Sequence, residues 1–272
     1  VLGERETVRG FARAGLQKAH ARALDPRRMV VAAVGDVEPG RVLAEIEKSF
    51  GALRPSAGEI PALHAALPES PQYAEEVLDR AQAHLAIGFP GTKIDAPDRF
   101  AMETLNTILS GQGGRLFLHL RDRMSLAYSV GSVAVEGIEP GLFATYIGTA
   151  PEKLSSAYGA MREEIRHIRE RPVGSQELAR AKRHLAASHA IDLQGTDARA
   201  SQYALNELYG LGYEAGARYE KEIGKVTVQD VQNVARKYLD FGRAVLAVVR
   251  PSRVTSLEGN WGASAPSVAA RS

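Results

Sequence analysis

The stretch GGRLFLHLRDRMSLAYSV, Gly113 to Val130, joins a glycine pair, an amphipathic helical turn and the start of a strand. The helical turn carries Arg121, and Tyr128 follows seven residues later, where the strand pattern begins. A guanidinium is always charged, and both it and a phenolic hydroxyl can hydrogen-bond a peptide backbone or a carboxylate. With the flexible glycine loop of Gly111, Gly113 and Gly114, these two side chains mark the candidate functional segment. A plainer reading makes Arg121 the partner of Asp122 in a surface ion pair and Tyr128 a half-buried strand aromatic. The loop Ser110–Gly114 matches neither a Walker nor a Rossmann pattern and its surroundings carry mixed charge, so it reads as a hinge or a helix start.

Upstream of this segment, Val8, Phe11, Leu16 and Ala19 predict a helix over Glu4–Leu24 that Asp25 and Pro26 end. Met29–Val34 predicts a buried strand, and Val42, Leu43, Ile46 and Phe50 give the apolar side of a helix closed by Gly51. Between Arg54 and Gln72 the periodicity disappears among four prolines, the mark of a linker. Strands are predicted over Tyr73–Asp79 and His84–Phe89, then a helix over Pro97–Leu109 with Ala101, Leu105 and Ile108 inward.

Downstream, Leu126–Val135 and Leu142–Gly148 read as paired strands turned at Glu139, Pro140 and Gly141. Leu154, Tyr158, Met161, Ile165 and Ile168 form one helical stripe, and further helices are predicted from Ser175, over Asp197–Tyr209 and after the Thr227/Asp230 cap. A last strand over Ala244–Val249 ends at Pro251. Ser252–Ser272 has little periodicity and reads as a mobile tail, in which Trp261 is an exposed aromatic able to meet another chain.

The 272 residues, 44% hydrophobic, suffice for a large core. Thirty-four basic and thirty-two acidic residues, interspersed, leave +2 and no nucleic-acid footprint. Without cysteine there are no disulfides, thiolate metal sites or Cys nucleophile, and the compartment, cytoplasmic or periplasmic, stays open. No apolar run approaches the roughly eighteen residues that cross a bilayer, and Val1–Gly10 has no signal-peptide pattern, so the chain reads as soluble. Glu164 with His167, and His189 with Asp192, sit at helical spacing that could share a metal; solvated helix faces are the plainer explanation. Glu163–Arg171 reads as an exposed, mixed-charge face.

Shifting the chain by 215 positions lays Leu24, Asp25, Arg28, Val30 and Ala32 on Leu239, Asp240, Arg243, Val245 and Ala247. Val8, Phe11, Leu16 and Gln17 then fall on Ile223, Val226, Val231 and Gln232. Such a repeat implies duplication, with the first copy starting about 140 residues before Val1, so the sequence reads as a fragment of a longer protein.

MVVAAVGDVEPGRVLAEIEKSFGAL, LNTILSGQGGRLFLHLRDRMSLAYSV, SQELARAKRHLAASHA and KVTVQDVQNVARKYL, in this order and spacing, resemble the M16 zinc metallopeptidases, the pitrilysin, insulysin and mitochondrial processing peptidase group. The resemblance covers roughly Leu2 to Pro251 and implies an α+β fold, a mostly antiparallel sheet packed against helices. It divides the chain into the C-terminal part of a first module (1–53), a linker (54–72), a complete non-catalytic second module (73–252) and a flexible tail (253–272). The family's inverted zinc motif, His-x-x-Glu-His, is absent: none of the seven histidines, at 20, 64, 84, 119, 167, 184 and 189, has that spacing. Zinc would then belong to the complete enzyme and not to this chain. The motif maps the family's substrate-holding Arg and Tyr onto Arg121 and Tyr128; it departs at Ser125, where the family commonly has Gly. The implied partners are a peptide or unfolded protein substrate and a catalytic M16 module, in cis or in a partner subunit of a dimer, with neither nucleic acid nor membrane. The alternative is a non-catalytic peptide-binding or assembly subunit of the same fold.

Overall fold

The structure, a computed structural model, describes residues 3–55 and 64–261. The parts of the expected linker at 56–63 and of the expected tail at 262–272 lie outside them. The described residues of 1–62 and 191–217 form one compact unit, and those of 63–190 and 218–272 form another. The division implied by the resemblance assigns 191–217 to the second module.

In the first unit, the single helix expected over Glu4–Leu24 is two, α1 (Arg5–Arg9) and α2 (Arg13–Ala23). The Gly10 N–H folds back onto the Glu6 and Thr7 carbonyls, and Ala12 turns to extended backbone. Glycine makes such an ending cheap, and an unbroken apolar period does not reveal it. Asp25 then opens a 3-10 turn, its carboxylate accepting from the Arg27 N–H at 3.0 Å and from the guanidinium at 2.6 Å. Residues 29–34, expected as a buried strand, are neither buried nor a strand. A strand exists only by pairing, and no neighbouring strand lies beside this segment among the described residues. α3 (Pro39–Phe50) forms as expected, capped by the Glu38 carboxylate on the Gly40 and Arg41 N–H groups. None of its apolar residues is buried: Leu43 is 65% exposed, and Val42, Ile46 and Phe50 line an open cleft of about 500 Å³.

The second unit runs β1 (Gln72–Val77), β2 (Ala83–Pro90), α4 (Arg99–Leu109), a π-helical segment (Phe117–Arg123), β3 (Ser129–Val135), β4 (Leu142–Thr149), α5 (Leu154–Glu170) and α6 (Ser175–Asp192). After α7 (Thr196–Leu208), which belongs to the first unit, come α8 (Tyr219–Lys225), α9 (Val228–Tyr238) and β5 (Val245–Arg250). The sheet order is β1-β5-β2-β4-β3, with only β1–β5 parallel. This is the mixed, mostly antiparallel α+β fold expected.

Alternation along the strands makes one sheet face apolar. Leu85, Ile87, Phe89, Phe143, Ile147, Leu246 and Val248 are buried on it, under α4, α5 and α9. The predicted stripes of α4 and α5 are all buried. α9 starts with a complete Thr227/Asp230 capping box and buries Val231, Val234 and Ala235. On the solvent side of α5, Arg166 pairs with Glu163 and with Glu170, the expected charged face.

Residues 252–261 are not a mobile tail. Leu257 and Trp261 are buried in the core, Trp261 against the rings of Tyr158 and Phe241. The segment is fastened where Ser256 Oγ meets Tyr73 Oη at 3.0 Å and Glu75 Oε2 at 2.8 Å, and where Arg250 holds Glu75 at 2.5 Å and the Val254 carbonyl. Burial, and then the hydrogen bond to Glu75, push the Tyr73 hydroxyl up to about 12.

Candidate functional site

The glycine loop that precedes the π segment makes hydrogen bonds at Ser110 and Gly113. Gly111 takes φ 77°, and a Cβ on Gly114 would lie 2.2 Å from the Ser110 carbonyl oxygen, so only glycine fits there. Ser110 Oγ accepts the Ser132 N–H at 3.3 Å, and Arg180 of α6 donates to the Gly113 carbonyl at 3.2 Å. Arg115, the next residue, makes a two-pronged pair with Glu177, both contacts 2.7 Å. Burial pushes the Glu177 carboxyl up, but Arg115's hydrogen bonds and charge outweigh it and the net shift is downward. A depressed carboxyl stabilises the fold above its unfolded value near 4.5, and loses that stabilisation as pH falls through the folded value. Arg115→Met is therefore expected to destabilise the chain by about 2 kcal/mol at pH 7, because it strands a half-buried charge. The difference from wild type should shrink as pH falls below the unfolded value near 4.5 and through the lowered folded value in urea melts; a pH-independent difference would count against the pair.

Arg121 and Tyr128 come together at the end of this segment. Arg121 Nη1 donates to the Tyr128 carbonyl oxygen at 3.0 Å, and the guanidinium carbon lies 5.0 Å from the centre of the Phe117 ring. No carboxylate, Asp122 included, is within ion-pair distance of it among the described residues. The Tyr128 side chain is 58% exposed, and its N–H is tied to the Gly148 carbonyl at 2.8 Å. Two sets of donors thus face outward from a fixed backbone. Between them Ser125 takes φ 51°, the left-handed region that favours glycine. The serine carries a conformational penalty that glycine would not, so Ser125→Gly is expected to raise stability by about 0.5–1 kcal/mol in chemical denaturation. A loss of stability would show that the Ser125 side chain contributes more than its strain.

The outward sheet face next to Tyr128 carries alanines and glycines around one large exposed ring, that of Tyr146. Registered partners place Ala74, Ala247, Ala86, Tyr146 and Gly131 in one row across all five strands. The next row toward Tyr128 is Glu76, Val249, His84, Gly148 and Ser129. A Cβ on Gly148 would meet Ser129 Oγ at 2.8 Å and His84 Cε1 at 3.0 Å, so those side chains converge over it. Sequence reasoning does not single out His84 or Ser129; their only signal is a polar residue at the outward position of an alternating strand.

The π segment is held from its inner side. Leu120 is buried, and His119 Nδ1 lies 2.6 Å from Glu164 Oε1. Glu164 therefore faces His119 and does not share a site with His167, whose Nε2 contacts Glu163 at 2.8 Å. His189 stacks on the Tyr219 ring, centroids 4.1 Å apart. No group of three or more His, Cys, Asp or Glu side chains among the described residues could hold a metal ion. The donor set does not fit the family's zinc, and no helix of the described residues is long and apolar enough to cross a membrane.

The pattern that defines the peptidase M16 inactive domain matches residues 11–185. The chain belongs to the peptidase M16 family. An uncharacterized zinc protease of Streptomyces coelicolor is 31% identical over 92% of this chain and 56% of its own length. Another, of Bacillus subtilis, is 27% identical over 93% of the chain and 61% of its own length. The M16 chain thus spans little more than half the length of these curated relatives. A crystal structure of a peptidase M16 inactive domain from Pseudomonas fluorescens superposes with a TM-score of 0.80 over 93% of this chain and 61% of that one, at 21% identity, which supports the fold alone.

Proposed function

We propose that this chain is the substrate-holding, non-zinc-binding part of an M16-type metalloendopeptidase that cleaves peptides or unfolded proteins. The observation that carries the reading is the Arg121–Tyr128 pair: a guanidinium anchored through one donor to the Tyr128 carbonyl, beside an exposed phenol, at the end of the sheet's outward face. The spare guanidinium donors and the hydroxyl would hydrogen-bond the carbonyls of an extended peptide and fix its position and direction. Zinc and the general base would come from a catalytic M16 module, in cis or in a partner subunit, since no group among the described residues fits the metal. The exposed apolar side of α3 supports such a module-bearing partner, because a large amphipathic face is stabilised by cover.

The test is cleavage of a quenched fluorescent peptide by the chain with and without a zinc-motif module. Activity should require both and disappear with chelator. Zinc-dependent cleavage by the chain alone would overturn the reading. Peptide binding without cleavage in any combination would favour a binding or assembly subunit of the same fold.

A further inference from the structure

Glu164 lies inside the apolar stripe of α5, flanked by buried Met161, Ile165 and Ile168, and is itself more than nine-tenths buried. An apolar residue would fill such a position more simply, since burying a carboxylate costs free energy that one ion pair seldom recovers. Its one side-chain hydrogen bond among the described residues is to His119 Nδ1, from across 45 residues of sequence. His119 is also where the π turn is made: its carbonyl accepts the Met124 N–H at 3.0 Å, a bond reaching over five residues, with Arg121 between the two. A π turn holds one residue more than an α turn, so relaxation to α geometry would rotate the residues beyond it by about 100° around the axis. Arg121 would then leave the Tyr128 carbonyl it now holds at 3.0 Å.

We infer that Glu164 is a positioning residue: through His119 it locks the π turn in the register that points the Arg121 guanidinium at the substrate face. The Arg115–Glu177 pair fixes the helical residues just before this segment, so the chain is tied at Arg115 ahead of the π turn and at His119 within it. This inference rests on the substrate-holding role proposed for Arg121.

The experiment is a double-mutant cycle in the enzyme completed by its catalytic module, with kcat/KM and Tm measured for Glu164→Leu, Glu164→Gln, Arg121→Met and Glu164→Leu/Arg121→Met. Glu164→Leu is expected to keep or raise Tm while lowering kcat/KM roughly 10-fold, because a misplaced donor costs rate without costing stability. Glu164→Gln, which can still hydrogen-bond His119, should recover part of that loss. In the Arg121→Met background Glu164→Leu should cost nothing further. An equal loss in both backgrounds, or a fall in kcat/KM only in proportion to Tm, would overturn the inference while leaving Arg121 in place. If Arg121→Met itself leaves cleavage unchanged, the substrate-holding assignment fails and this inference fails with it.

Discussion

Arg121→Met, in the enzyme completed by its catalytic module, is expected to lower kcat/KM by roughly 10² to 10³-fold, the range for removing one preorganised donor from a reacting carbonyl or its neighbours. Tyr128→Phe should cost about 10 to 10²-fold, since it removes a neutral donor and keeps the ring. Neither change should shift the melting midpoint by more than a degree or two, because both side chains are exposed and only the bond to the Tyr128 carbonyl and the contact with the Phe117 ring are lost. That separation of rate from stability is what distinguishes a substrate contact from a structural one. The two losses should combine less than additively, because Arg121 is anchored on the backbone of Tyr128 itself. Steady-state kinetics on a single peptide decides the matter: wild-type kcat/KM in both variants would remove the assignment.

How much of the fold and the site is legible in the sequence depends on whether the cause is local. The α4 and α5 stripes, the alternation of β2 and β4, and the Thr227/Asp230 box come from periodicity and capping, which act within a few residues. Residues 29–34 have the composition of a strand, but pairing is a property of two segments, and among the described residues the second is missing. The break at Gly10 is hidden because the apolar period runs through it. No periodicity signals a π turn; its lock, His119 to Glu164, joins two helical segments whose own patterns say nothing of each other. Arg121 and Tyr128 are reached through motif resemblance, and their meeting depends on that turn. Ser125 stands out only as a departure from glycine, for which its positive φ supplies the physical reason.

Trp261 escapes for a different reason: the segment that carries it has no repeating apolar pattern, and its fastenings are polar contacts to β1 and β5. Only 4% of the indole is exposed, and it packs between Tyr158 and Phe241, with Arg162 over both of their rings at 5.5 and 5.1 Å. Trp261→Ala is therefore expected to destabilise the chain by about 3–5 kcal/mol, the cost of a large cavity in a packed core. Trp261→Phe should cost only about 1–2 kcal/mol, because the buried indole N–H has no acceptor among the described residues and its loss removes an unmet polar group. As the only tryptophan in the sequence, Trp261 reports on itself: its fluorescence should be blue-shifted in the folded chain and move red in the same transition that circular dichroism records. A solvent-exposed spectrum before unfolding, or an alanine variant within about 1 kcal/mol of wild type, would return 252–261 to the mobile tail its composition suggests.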